Sequence, residues 1–214
     1  MSNEHRERYA GVVLAGGLSR RMGGGDKGLL DLQGQSMLAH VIAAVEPQVG
    51  HLVLNANGEP ARFASFGLPV VPDTIEGFVG PLAGVLAGLR WAAVNAPAAT
   101  HVASVSADAP FLPADLVRRL ADASSGRPNA IAMARSGGEL HPVIGLWPVP
   151  LADDLEVALR AGTRKVLAWT DRHGTIGVDF PFLAVGTERV DPFFNANTPS
   201  EMDEARRLLA LMRA

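Results

Sequence analysis

Apolar residues fall along the chain in two alternating rhythms. Gly11-Val12-Val13-Leu14-Ala15 is an unbroken apolar run, the pattern of a strand buried on both faces. Met37, Leu38, Val41, Ile42 and Val45 recur at helical spacing, and Ser36 stands where a helix cap is wanted, so a helix is predicted through about Glu46. The same reading gives strands at His51–Asn55, Val70-Val71, Val102–Ser106 and Ala130–Ala134. It gives a short helix around Pro60–Phe66 and longer ones over Leu82–Val94 and Pro113–Asp122. Strand and helix alternating in this way predict a parallel sheet with helices on both faces.

The second half is less regular. A strand is expected at Val143–Trp147 and a helix at Leu151–Ala161, while Val166–Thr170 is too short to assign. Ser200–Arg213 is a clear amphipathic helix, with Ser200 and Asp203 as a loose capping box. No repeat or low-complexity linker interrupts the chain.

Composition narrows the function classes. With 214 residues, 48% of them hydrophobic and 19% charged, one self-supporting globular domain is expected, or one large domain with a small appendage. The absence of cysteine excludes disulfides, thiolate metal sites and a thiol nucleophile. A net charge of −3 offers no broad basic surface, so no nucleic-acid partner is expected. Met1–Tyr9 lacks the apolar core of a signal peptide, and Leu82–Val94 is short and contains Arg90. No membrane partner and a cytoplasmic location follow as expectations.

Candidate chemistry concentrates in the stretch after the first strand. Leu14-Ala15-Gly16-Gly17 leads into a glycine-rich loop that carries Arg20, Arg21 and Lys27 and ends at Gly28. Glycines let backbone N–H groups approach a ligand closely, and interleaved cations suit a triphosphate. Lys27 and Lys165 are the only lysines among 19 basic residues. Lys27 lies between Asp26 and Gly28, so the loop is not a Walker motif, and Gly23-x-Gly25-x-x-Gly28 matches the dinucleotide fingerprint only by accident. A glycine run by itself would more often be a plain surface loop; its place after a buried strand favours phosphate binding.

Asp108 follows the strand Val102–Ser106, at the edge where open α/β sheets bind ligands. It suits Mg²⁺, which takes one or two carboxylates plus substrate phosphates, although a turn aspartate before proline is equally common. Asp73 and the pair Asn55 and Asn57 end two other strands. A carboxylate can accept from guanine N1–H and N2–H₂, and an asparagine can reach base or ribose, but Asx residues also simply form loops. Asn195-Ala196-Asn197-Thr198-Pro199 offers two amides, yet helix entry explains the same residues. His141-Pro142 reads as a surface turn, and Arg164 suits a helix C-terminus.

Taken together and in order, Gly11–Gly17, Arg20–Leu30, Asn55-Ala56-Asn57, Val71–Asp73, Gly80–Gly84, Asp108-Ala109-Pro110, His141-Pro142 and Phe194–Glu201 resemble the molybdenum cofactor guanylyltransferases over nearly the whole chain. The loop alone would mark only the wider nucleotidyltransferases; Gly16-Gly17 and the Asn-x-Asn-Thr-Pro segment point to the guanylyl branch. The chain departs from the family at Ser106-Ala107 and across Ser124–Glu139.

The resemblance implies a Rossmann-like α/β fold of nucleotidyltransferase type, with a mostly parallel sheet. It implies one domain, with residues 1–125 as the nucleotide-binding half and 126–214 on the acceptor side. The implied reaction transfers GMP from GTP to molybdopterin, or its molybdenum-loaded form, releasing pyrophosphate. Leu14, Ala15, Gly16, Lys27, Asn55, Asp73 and Asp108 would contact GTP, with Mg²⁺ on Asp108. Arg21, Arg164, Asn195 and Asn197 would lie nearer the pterin, and Lys27, Arg21 and Asp108 would carry the catalysis. A monomer with transient contacts to other cofactor-biosynthesis proteins is expected. The competing readings are CTP on molybdopterin, an NTP on a sugar phosphate, or a nucleotide-binding module without turnover.

Overall fold

The computed structural model describes residues 3–16, 26–75, 77 and 80–213. Along these residues the elements run α1 (Asn3–Glu7), β1 (Tyr9–Leu14), β2 (Asp31–Leu32), β3 (Gln35–Ser36), α2 (Met37–Val45), β4 (His51–Asn55), β5 (Val70–Val71), α3 (Pro81–Asn95), β6 (His101–Ser106) and α4 (Leu116–Ser124). There follow β7 (Ala132–Ser136), β8 (Glu139–Pro148), α5 (Ala152–Arg160), α6 (Val166–Thr170), β9 (Ile176–Asp179), β10 (Leu183–Val185), β11 (Glu188–Val190) and α7 (Pro199–Arg213).

One seven-stranded sheet, ordered β5-β4-β1-β6-β8-β7-β9, organises the molecule. β1, β4, β5 and β6 are mutually parallel, as the alternation of elements predicts, and β7 is parallel to β9. β8 departs from that expectation. It lies between β6 and β7 and runs antiparallel to both, with a register shift between Met133 and Arg135. The cause is local: Gly137 and Gly138 both have positive φ, 56° and 91°, which makes a two-residue hairpin turn and sends β8 straight back along β7. Ser136 and Glu139 pair across this turn.

Helices cover both faces. One face buries Val13 with Val41 and Val45 of α2 and Leu116, Val117 and Leu120 of α4. The other buries Val12 with Leu82, Leu86 and Leu89 of α3 and Leu155, Leu159 and Trp169 of α5 and α6. Trp147 lies fully buried here; its Nε1 donates to Ser104 Oγ at 2.7 Å, and Ser104 in turn donates to Val143 O at 2.7 Å, so neither polar group is stranded. A third cluster packs α7 through Met202, Ala205 and Leu208 onto Leu32, Met37 and Phe111. The carboxyl-terminal helix therefore docks back on the first half of the chain.

α2 is capped as its sequence suggests, with Ser36 Oγ accepting from Ala39 N at 3.2 Å. α7 is capped differently. Thr198 Oγ1 accepts from Glu201 N at 3.3 Å, and Glu201 reaches back to accept from Asn197 N at 2.8 Å. The pair is Thr198 and Glu201 rather than Ser200 and Asp203, because Pro199 occupies the first helical position.

Candidate active site

The parallel strands β1, β4, β5 and β6 deliver their carboxyl ends to one edge. Each ladder continues slightly past the strands: Ala15 N donates to Asn55 O at 2.8 Å, Ala56 N to Val71 O at 3.0 Å, and Ala107 N to Leu14 O at 3.1 Å. This fixes the backbone that follows each strand. Beside β1 and β6 a small cleft is lined by Leu14, Ala15, Lys27, Gly28, Ser106, Ala107 and Asp108. Gly16 lies alongside, next to Asn55 and Ala56. Gly28 is buried, and a Cβ there would sit 3.3 Å from Leu38 Cβ, so the chain leaving the loop passes tightly over α2.

Lys27 reaches into this cleft from the short helical turn Lys27–Leu29. Its Nζ donates to Asn197 Oδ1 at 2.6 Å and stands 3.7 Å from Asp108 Oδ2. The other carboxylate oxygen of Asp108 accepts from Ser106 Oγ at 2.5 Å. The Asp108 main-chain oxygen accepts from Ala196 N at 3.0 Å, so the segment before α7 is stitched to the end of β6. Glu201 holds Asn197 by its N–H while Lys27 takes the side chain, and that backbone bond is the first cause of a depressed Glu201 pKa. Three residues far apart in sequence, Lys27, Asp108 and Asn197, meet here; the resemblance had put the first two with the nucleotide and Asn197 with the acceptor.

A second polar corner lies at the ends of β4 and β5. Asn55, buried, donates from Nδ2 to Val71 O at 3.2 Å and to Asp73 Oδ1 at 3.0 Å. Asn57 donates to Asp73 Oδ2 at 2.8 Å and accepts from Asp73 N at 2.9 Å. The two amides orient the carboxylate without neutralising it, and each oxygen keeps a lone pair for another donor. Gly84 of α3 packs against Asn55 so closely that a Cβ there would overlap Asn55 Oδ1, which explains a glycine in the first turn of a helix.

On the far side of Asp108, the segment 191–197 links two clusters. Asp191 accepts from Ser136 Oγ at 2.8 Å and from Phe193 N at 2.8 Å, and Ser136 Oγ also lies 2.6 Å from His141 Nε2. Burial pushes the His141 pKa down, against the opposing pull of Asp191 and Glu139. His141 is therefore part of a packed hydrogen-bond cluster rather than a surface turn. Asn195 Oδ1 is buried without a hydrogen-bond partner among the described residues. Arg164 donates from Nη1 to Leu159 O and Thr163 O, both at 2.8 Å, which is helix-end capping of α5. Arg21 lies outside the described residues.

Sequence reasoning did not single out Ser136, Asp191 or Arg62. Ser136 and Asp191 stand 55 positions apart, and no local pattern announces that they meet.

The MobA-like NTP transferase domain matches residues 11–176. The chain is 54% identical to a molybdenum cofactor guanylyltransferase of Bradyrhizobium sp. (strain ORS 278), over 99% of this chain and 98% of that one. It is 49% identical to the protein of that name from Mesorhizobium japonicum, over 97% and 99% of the two chains. Among solved structures, the molybdopterin-guanine dinucleotide biosynthesis protein A of Archaeoglobus fulgidus superposes with a TM-score of 0.74 at 22% identity, over 94% of this chain and 98% of that one.

Proposed function

The chain belongs to the MobA-like NTP transferase family, and from that premise we propose that it transfers GMP from GTP to molybdopterin with release of pyrophosphate. The observation that carries the proposal is the meeting of Lys27, Asp108 and Asn197 beside the cleft at the end of β1 and β6. A cation, a carboxylate and an amide from three distant segments converge where a triphosphate would emerge from the glycine-rich loop.

In this reading Leu14, Ala15 and Gly16 present backbone to the nucleotide. Asp73, oriented by Asn55 and Asn57, accepts from guanine N1–H and N2–H₂. The residues fit Mg²⁺: Asp108 offers hard carboxylate oxygens beside the cleft at the end of β1 and β6. A hydrated ion completed by substrate phosphates matches such a donor set. When bound, the ion would neutralise charge on the phosphate oxygens.

The chain's own residues do the rest. The terminal phosphate of molybdopterin is itself the nucleophile, so no covalent protein intermediate is needed; it attacks the α-phosphorus in line while pyrophosphate departs. Lys27 places a point charge where negative charge grows on the leaving group, and Asn197 fixes that ammonium by accepting from it. Asn195, whose Oδ1 has no hydrogen-bond partner among the described residues, and Asn197 are assigned to the acceptor, with residues 126–214 forming that side; the same role is proposed for Arg21, and for Arg164 once it leaves its cap on α5. Both relatives described above carry the guanylyl name, which disfavours CTP and sugar-phosphate chemistry. No helix among the described residues is long and apolar enough to cross a membrane, and we place the enzyme in the cytoplasm as a monomer with transient biosynthetic partners.

The test is pyrophosphate release from GTP, ATP and CTP with molybdopterin as acceptor. GTP should be preferred, and Asp73→Ala should erode the preference, because a site built for specific hydrogen bonds rejects ligands that leave it unpaired. Equal turnover of the three nucleotides by the native enzyme would refute the guanine assignment.

A further inference from the structure

Arg62 lies in the 3₁₀ segment Pro60–Phe66, away from the residues that touch the cleft. Its guanidinium nevertheless joins the two halves of the nucleotide site. Nη2 donates to Asn57 O at 2.5 Å. Nε faces Asp26 Oδ2 at 2.7 Å, a charge contact rather than an aligned hydrogen bond, with both side chains largely shielded from solvent. The guanidinium carbon stands 4.8 Å from the centre of the Phe63 ring, which supplies a platform. Gly58 leaves room for the group: its φ is +85°, and a Cβ there would lie 2.9 Å from Arg62 Nη1.

Each end of this bridge matters to the site. Asp26 immediately precedes Lys27, at the exit of the loop proposed to hold the triphosphate. A bare carboxylate at that place repels phosphate, and Arg62 cancels its charge. Asn57 spends both side-chain amide atoms on Asp73, so holding the Asn57 carbonyl also holds the carboxylate proposed to read guanine. A continuous path runs Asp26–Arg62–Asn57–Asp73.

We propose that Arg62 is a positioning residue that couples the exit of the glycine-rich loop to the base-reading corner, making triphosphate affinity and purine selection depend on one guanidinium. The selection half of this proposal rests on the guanine reading of Asp73. Lysine can offset the charge of Asp26 but cannot make the bridge, because a single ammonium cannot span both oxygens or stack on Phe63.

The experiment is equilibrium binding of GTP and of ATP, with Mg²⁺, to the full chain and to Arg62→Met, Arg62→Lys, Asp26→Asn and the double variant Arg62→Met/Asp26→Asn. Arg62→Met should weaken GTP binding by about tenfold, within the range of coupled contacting residues, and should lower the GTP:ATP affinity ratio. Adding Asp26→Asn should recover affinity for both nucleotides, since the exposed negative charge is gone, but should leave the ratio low, since Asn57 is still untethered. Arg62→Lys should keep most of the affinity and lose ratio. A purely structural role would lower the melting temperature and leave the ratio untouched. A native GTP:ATP ratio in Arg62→Met, or no recovery in the double variant, would overturn the coupling. If Arg62→Met fails to fold, Arg62→Lys decides, and a native ratio in it overturns the proposal. Equal affinity of the unaltered chain for GTP and ATP would instead refute the guanine reading of Asp73, and the affinity half of the cycle, read with GTP alone, would still decide whether Arg62 joins Asp26 to the site.

Discussion

Asp108 and Lys27 carry opposite charges 3.7 Å apart, and each has a second partner that fixes it, Ser106 for the carboxylate and Asn197 for the ammonium. Substituting either therefore tests a role rather than a loose surface group. Asp108→Asn should leave the fold intact and reduce turnover to background, because an amide oxygen is an uncharged, poorer ligand for Mg²⁺. Near-native pyrophosphate release at low Mg²⁺ would contradict that role. Lys27→Ala should slow the single-turnover rate at saturating GTP by roughly two to three orders of magnitude, the usual effect of losing one preorganised contact in a transition state. Lys27→Arg should regain only part, since a planar fork does not fill the place of a compact ammonium against Asn197. A Lys27→Ala variant that loses only affinity would make the lysine a binding residue. Both residues were legible in the sequence because each closes a strand-and-loop pattern with a defined edge. Arg62 was not, since its two partners lie on the loop exit and on a carbonyl, and a carbonyl has no side-chain signature.

At the scale of elements, α3 shows how small residues set the position of a site. Its glycines and alanines let it pack closely on the sheet, and the contacts are specific: a Cβ on Gly88 would come within 2.8 Å of Val12 Cβ, and one on Gly84 would overlap Asn55 Oδ1. The two positions should therefore respond differently to alanine. Gly88→Ala crowds the core and should cost about 1–3 kcal/mol in chemical denaturation, with GTP affinity per folded molecule preserved. Gly84→Ala pushes on the residue that orients Asp73 and should weaken GTP binding as well. Equal loss of GTP affinity in both variants would mean that α3 shifts as a rigid body. Strands and helices with a strong period were readable to within a few residues. β8 was read as a strand, but its antiparallel place beside β6 was not, because hydrophobic pattern gives no partner. The short pairs β2–β3 and β10–β11 carry too few residues to display a period at all.

Across the whole molecule, two partly buried histidines set how stability responds to acid. Burial lowers the pKa of His101, at the amino end of β6, with Arg8 adding to the effect, and burial likewise lowers that of His141 beside Asp191. The ordinary histidine value is 6.5. In the unfolded chain both rings take up a proton as pH falls below that value, whereas in the folded chain they resist until a lower pH. The unfolded state thus binds more protons in this window, and stability must fall as pH drops. Carboxylates held low by arginine, such as Glu156 and Asp179, act in the same direction but only below their ordinary values of 4.5 and 3.8. Acid unfolding should therefore begin in a histidine-controlled phase between about pH 6.5 and 5, ahead of the carboxylates. Each kcal/mol lost there should appear as a drop of about 2–4 °C in Tm for a chain of this size. The two rings can be separated. His101 Nε2 is buried without a hydrogen-bond partner among the described residues, so His101→Phe should flatten the Tm slope in that window while GTP binding stays intact at the opposite edge of the sheet. His141 is tied to Ser136, so replacing it should disturb the segment leading to Asn195 and Asn197 and alter acceptor binding together with stability. A Tm that stays flat from pH 7 to pH 5 in the native protein would show that neither histidine is held in its neutral form, and the cluster around Asp191 would then have to be read as a charged pair.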